Sequence, residues 1–95
     1  MAVAIRLRAP SATRDDYDAF DSAIGEWVAA NGGQAEGFMS YAAYAGDEGF
    51  DVLTVWRNEH LWQAWWDGTM RQLGGDVGIA IEFVGSSSVW GFATR

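Results

Sequence analysis

The stretch Thr54-Val55-Trp56-Arg57-Asn58-Glu59-His60-Leu61-Trp62-Gln63-Ala64-Trp65-Trp66 reads as the end of a buried strand running directly into a helix. Trp56 closes the strand. Asn58 is a natural N-cap, because its side-chain carbonyl can accept from the orphan amides of the first turn. Glu59 places a negative charge at the positive end of the helix dipole. At about 100° per residue, Leu61, Trp62, Trp65, Trp66, Thr69, Met70 and Leu73 share one broad face, and His60, Gln63, Asp67 and Arg71 take the other. That is more aromatic volume than a small core needs, so the helix is expected to wall a cavity or meet a partner surface.

Working outward, Val3 to Ala9 alternates as a strand, with Val3, Ile5 and Leu7 on one side and Arg6 and Arg8 on the other. Pro10 ends it. Ser11 and Thr13 are candidate caps, and Asp16 three residues after Thr13 completes an approximate capping box. From about Arg14 to Asn31 the period is helical, with an apolar arc of Tyr17, Phe20, Ile24, Trp27 and Val28. Asn31-Gly32-Gly33 supplies a left-handed stop. Gly37 to Tyr44 is a second strand, with Phe38, Ser40, Ala42 and Tyr44 on one face and Met39, Tyr41 and Ala43 on the other. Gly46 to Gly49 is a turn, and Phe50 to Trp56 is the third strand, so the two form an antiparallel hairpin. The tryptophan-rich helix follows to about Leu73, stopped by Gly74-Gly75. Ile79 to Val84 is the fourth strand. Gly85 and three serines loosen the chain before Val89 to Phe92, which is either a strand extension or a packing tail.

This order predicts one α+β domain over residues 1–95, with a ferredoxin-like β-α-β-β-α-β arrangement: a four-stranded antiparallel sheet with two helices on one face. Neither face of the sheet reads as polar, since only Arg6, Arg8, Asp51 and Glu82 interrupt it. Sheets apolar on both faces are covered on both faces. With two helices in the chain, a second copy is the simplest cover, so a homodimer is expected.

Composition narrows the partners. The chain has 95 residues, net charge −7, one histidine and no cysteine. That excludes thiolate chemistry and a multi-histidine metal site within one chain. Nucleic acid and anionic membranes are poor partners for a negative protein whose only cations are six arginines. No apolar run is long enough to span a bilayer, and the start lacks a cationic region ahead of an apolar one, so neither a membrane span nor a signal peptide is expected. The default location is the cytoplasm.

The order of elements, the Gly37-Phe38 entry to the second strand and the Thr54–Trp66 stretch together resemble the antibiotic biosynthesis monooxygenase family of the dimeric α/β-barrel superfamily. The resemblance covers nearly the whole chain. It implies a dimeric α/β barrel and, for activity, oxygenation of phenol- or quinol-type aromatics without a cofactor. The family's haem-degrading branch would want a tryptophan on the second helix, a histidine about ten residues later and an asparagine in the first strand. Trp65 meets the first requirement, but Gly75 stands at the histidine position and the first strand offers no asparagine. No haem and no other cofactor is therefore expected.

Trp65 is the residue assigned to catalysis, with Phe20, Trp27, Trp62 and Trp66 lining a substrate cavity around it. Tyr41 and Tyr44 fall on opposite faces of their strand, so one of them can present a hydroxyl to a bound phenol, and Tyr44 joins the substrate-binding set. Arg6 and Arg8 either hold an anion or pair with Asp51 or Glu82. His60 reads as a solvated surface residue, and no metal ligands are assigned. The alternative to an oxygenase is a non-catalytic dimer that binds or senses a small molecule.

Overall fold

The computed structural model describes residues 1–93; Arg95, counted among the cations above, lies outside them. Strand β1 spans Val3–Ala9 and helix α1 spans Arg14–Ala30. Strands β2 and β3 are Phe38–Ala45 and Phe50–Trp56. Helix α2, Glu59–Trp65, continues through a π-helical turn, Trp66–Met70, into α3, Arg71–Asp76. Strand β4 is Glu82–Ser88. The four strands form one antiparallel sheet in the order β2-β3-β1-β4, and the sheet does not close on itself. This is the ferredoxin-like arrangement, with α1 and the α2–α3 helix on one face.

Local chemistry sets the element ends. The Thr13 hydroxyl accepts from the Asp16 amide at 3.1 Å, and the Asp16 carboxylate accepts from the Thr13 amide at 2.8 Å, a complete capping box. Asn58 Oδ1 accepts from the Leu61 amide at 2.9 Å and starts α2. Gly32 and Gly33 follow α1 with φ of 75° and 149°, beyond the reach of most side chains.

Gly74-Gly75 is not the helix stop. The helix runs through both residues to Asp76, and Gly78, at φ 76°, is the residue that leaves it. Gly74 is buried beneath the returning chain, whose Ile79 amide donates to the Gly74 carbonyl at 2.9 Å. A side chain there would meet the Ile79 carbonyl oxygen at 3.2 Å, so the glycine serves close packing.

The fourth strand also lies further along than the sequence suggests. Ile79 is buried and Ile81 packs on the same core, so this segment plugs the space under the helix instead of pairing in the sheet. The ladder with β1 begins at Glu82 and takes in the three serines. Pairing with a central strand overrides their weak strand preference. Val89 adds a single bond to the Ala2 carbonyl, and Trp90 beyond it is 99% exposed.

A bulge between Phe38 and Ser40 changes the reading of β2. The extra residue puts Phe38 on the helix-covered face together with Tyr41 and Ala43, opposite Trp56, Thr54 and Val52. Ser40, Ala42 and Tyr44 remain on the open face with Val55, Leu53 and Asp51. The open face is therefore mixed, not uniformly apolar. Arg8 pairs with Asp51 at 3.1 Å across it, and Arg6 donates to the Ser87 hydroxyl at 3.0 Å.

Gly37 joins the loop to β2 at φ 85°, and an added Cβ would come within 2.9 Å of Leu61 Cβ on α2. Gly37→Ala is expected to destabilise the fold by about 1–3 kcal/mol, combining backbone strain with overpacking. Urea unfolding of the two proteins measures it; a difference within about 0.5 kcal/mol, the scatter of neutral surface changes, would contradict this packing.

Candidate functional site

Helix α1 has 17 residues but only Phe20 is fully buried. Tyr17, Ile24, Trp27 and Val28 on the same face are half-buried. They are incompletely covered because the helix stands over a cavity of about 270 Å³ between itself and the sheet. Phe20, Trp27, Phe38, Trp56 and Trp65 line it, with Met70 at the base. The aromatic rings form a connected frame. Phe38 meets Trp56 edge-on at 5.6 Å, Trp56 leans on Trp65 at 5.4 Å, and Trp65 meets Trp27 edge-on at 6.3 Å. Offset and edge-to-face contacts of this kind suit the ring quadrupole.

Polar groups are few. Thr54 is buried on β3; its hydroxyl donates to the Ile5 carbonyl at 3.2 Å and accepts from Trp56 Nε1 at 3.0 Å, so both partners are satisfied. Trp65 Nε1 is buried without a hydrogen-bond partner among the described residues. Asp21, Gln34 and Tyr41 also line the cavity and are exposed, which places its opening beside them. The Tyr41 hydroxyl donates to Asp21 Oδ1 at 3.1 Å, tying β2 to α1.

The cavity brings together three of the six residues assigned to the site from the sequence: Phe20, Trp27 and Trp65. Trp62 and Trp66 lie apart from it. Trp62 stacks on Trp66 at 5.7 Å and on Phe83 of β4 at 5.3 Å, so these indoles cover the other flank of the sheet. Tyr44 is on the open face, and the β2 bulge is why Tyr41, with Phe38, takes the cavity side. Arg6 and Arg8 are on the open face as well. Asp21, which the sequence reading leaves out of the cavity, lies on its wall and carries a signal there. Tyr17, Asp21, Ile24 and Val28 follow the i, i+4, i+7, i+11 stripe of one helix face, an acid within an apolar arc.

Haem does not fit this wall in the manner of the haem-degrading branch. Gly75 offers no ligand, and His60 is exposed on α2 outside the lining. Among the described residues no group of three or more His, Cys, Asp or Glu side chains is arranged to hold a metal ion. No helix among them is long and apolar enough to cross a membrane.

The Tyr41 hydroxyl is held well above its ordinary value, chiefly by the neighbouring Tyr17 hydroxyl, then by desolvation and by the Asp21 carboxylate. The unfolded chain releases this proton near pH 10, and the native chain keeps it to higher pH. Above pH 10 the unfolded state thus binds fewer protons, and stability falls as pH rises. Tyr41→Phe is expected to make that decline shallower in urea unfolding between about pH 9 and 12. Parallel curves for the two proteins would contradict it.

No family model matches the sequence, and no curated protein matches it. Solved structures do. The chain is similar to Rv0793 from Mycobacterium tuberculosis, with 17% identity and a TM-score of 0.58 over 99% of this chain and 100% of that one. It is similar to SnoaB, a cofactor-independent oxygenase from Streptomyces nogalater, with 9% identity and a TM-score of 0.61 over 99% and 96% of the two chains. Protein YJCS matches with 17% identity and a TM-score of 0.59 over 93% and 96%. At these identities the likeness is one of fold, and by it the chain has the fold of the antibiotic biosynthesis monooxygenase type.

Proposed function

We propose that this domain is a small oxygenase that needs no cofactor and acts on a phenol- or quinol-type aromatic held in the cavity under α1. The observation that carries the reading is the cavity itself, with aromatic walls and a tyrosine–aspartate pair at its mouth. The fold shared with a cofactor-independent oxygenase supports it. In such chemistry the substrate's own anion reduces dioxygen. For a phenol, one oxygen atom enters the ring and the other leaves as water, so phenol and dioxygen give quinone and water with no outside reductant. The protein supplies a dry apolar site and orientation. Trp65, Trp27 and Phe20 hold the ring, and Tyr41 with Asp21 meets its polar end.

A homodimer acting in the cytoplasm belongs to the same proposal. Its support is the apolar surface outside the helix-covered core: Leu53 is 37% and Tyr44 52% exposed on the uncovered sheet face, and Val84 is 45% exposed on the edge strand. The second reading is a binding module without catalysis. One feature favours it: among the described residues no arginine, lysine or histidine lines the cavity to stabilise an anion.

Oxygen uptake with a panel of one- and two-ring phenols and quinols separates the readings. An oxygenase consumes oxygen with at least one of them, and Trp65→Phe is expected to lower kcat/KM about tenfold through lost aromatic contact. Saturable binding with no uptake on any substrate would leave the binding module. Sedimentation equilibrium at micromolar concentration is expected to give twice the 10.4 kDa mass of the chain; a well-folded species of single mass would remove the dimer.

A further inference from the structure

The cavity wall carries one acidic side chain, Asp21, and no basic one among the described residues. Asp21 Oδ1 accepts from Tyr41, while Oδ2 has no protein donor within hydrogen-bond distance among them. A carboxylate offers about four acceptor sites, so this one has capacity left at the cavity mouth. The remaining walls are indole, phenyl and aliphatic, joined only by the uncharged polar groups of Tyr17, Gln34, Tyr41 and Thr54. An ion placed among them would lose its hydration with no opposite charge to replace it. A second carboxylate would in addition face Asp21 directly, inside a protein of net charge −7. A neutral ring bearing a hydroxyl has neither difficulty, because its O–H can donate to Oδ2.

The geometry points to Asp21 as a charge filter: the cavity admits small neutral aromatics that donate a hydroxyl hydrogen bond, and turns away the same rings bearing a carboxylate. This rests on the cavity being a ligand site, as proposed above, but not on catalysis. The volume sets the size class. At about 270 Å³ the space lies just under the roughly 300–1,000 Å³ of drug-sized pockets, which suits one or two fused rings.

Isothermal titration calorimetry of the full chain with 2-naphthol and 2-naphthoate at neutral pH tests the filter. Wild type is expected to bind 2-naphthol about tenfold more tightly, the scale of one near-contact charge repulsion at a partly exposed site. Asp21→Asn removes the charge and keeps an acceptor for Tyr41. It is expected to bring the two affinities within about threefold, mainly by tightening 2-naphthoate. Tyr41→Phe leaves the carboxylate in place and should keep the wild-type ratio. Equal or tighter 2-naphthoate binding by wild type, an unchanged ratio in Asp21→Asn, or loss of the ratio in Tyr41→Phe would each overturn the assignment. If 2-naphthol and 2-naphthoate bind wild type equally, the filter alone fails. If neither binds, the cavity reading fails with it. Should Asp21→Asn not fold, the wild-type ratio read against salt decides: it shrinks as salt rises if the charge is responsible, and a ratio indifferent to salt overturns the filter.

Discussion

The aromatic frame of Phe38, Trp56, Trp65 and Trp27 is what the rest of this molecule depends on. Its four rings come from β2, β3, α2 and α1, so a single chain of contacts joins both helices to the sheet. Large flat side chains meeting edge-to-face or at a tilt fix the spacing of the elements that carry them, and each such pair adds about 0.5–1.5 kcal/mol beyond its buried area. Indoles hold the elements apart where aliphatic residues would draw them together. The partly covered apolar arc of α1 and the cavity beneath it are two views of that spacing.

The Trp56 indole nitrogen and the Thr54 hydroxyl fit the same account. Trp56 is almost fully buried, and its indole nitrogen would be costly without a partner. Thr54 provides one, and its own hydroxyl donates to the Ile5 carbonyl of β1. At the cavity mouth, the hydrogen bond from Tyr41 to Asp21 ties β2 to α1. A second cluster, Trp62, Trp66 and Phe83, packs the opposite flank. The tryptophans of the long helix thus divide between two tasks, Trp65 facing the cavity and Trp62 and Trp66 closing the other side.

Much of the fold was legible in the sequence because it is written in short-range signals. Alternation in Val3–Ala9, the Thr13–Asp16 box, the Asn58 cap and the Gly46–Gly49 turn each have one structural meaning. What escaped was set by contacts distant in the chain. The Phe38–Ser40 bulge reverses which tyrosine faces inward, and period-two counting cannot detect an inserted residue. The π-helical turn at Trp66–Met70 rotates the following residues by about 100°, the angle of one helical residue, and breaks any single helical wheel drawn through α2 and α3. Gly74 looked like a stop but marks a close approach. Of the residues expected at the cavity, helical periodicity leads to Phe20, Trp27 and Trp65, which line it, whereas Tyr44, Trp62 and Trp66 lie elsewhere for the reasons of bulge and flank. Asp21 does not stand out in the sequence, because an acid on a helix is ordinarily solvated.

The chain has six tryptophans, and the structure assigns them to separate surroundings: Trp27, Trp56 and Trp65 around the cavity, Trp62 and Trp66 on the other flank, and Trp90 in solvent. Their indole N–H resonances in a nitrogen–proton correlation spectrum form a position-specific reporter. Titration with 2-naphthol should move the signals of Trp27, Trp56 and Trp65 saturably and together, leaving those of Trp62, Trp66 and Trp90 in place. Shifts confined to Trp62, Trp66 or Trp90, or no shift at any indole, would contradict a ligand cavity built on the aromatic frame.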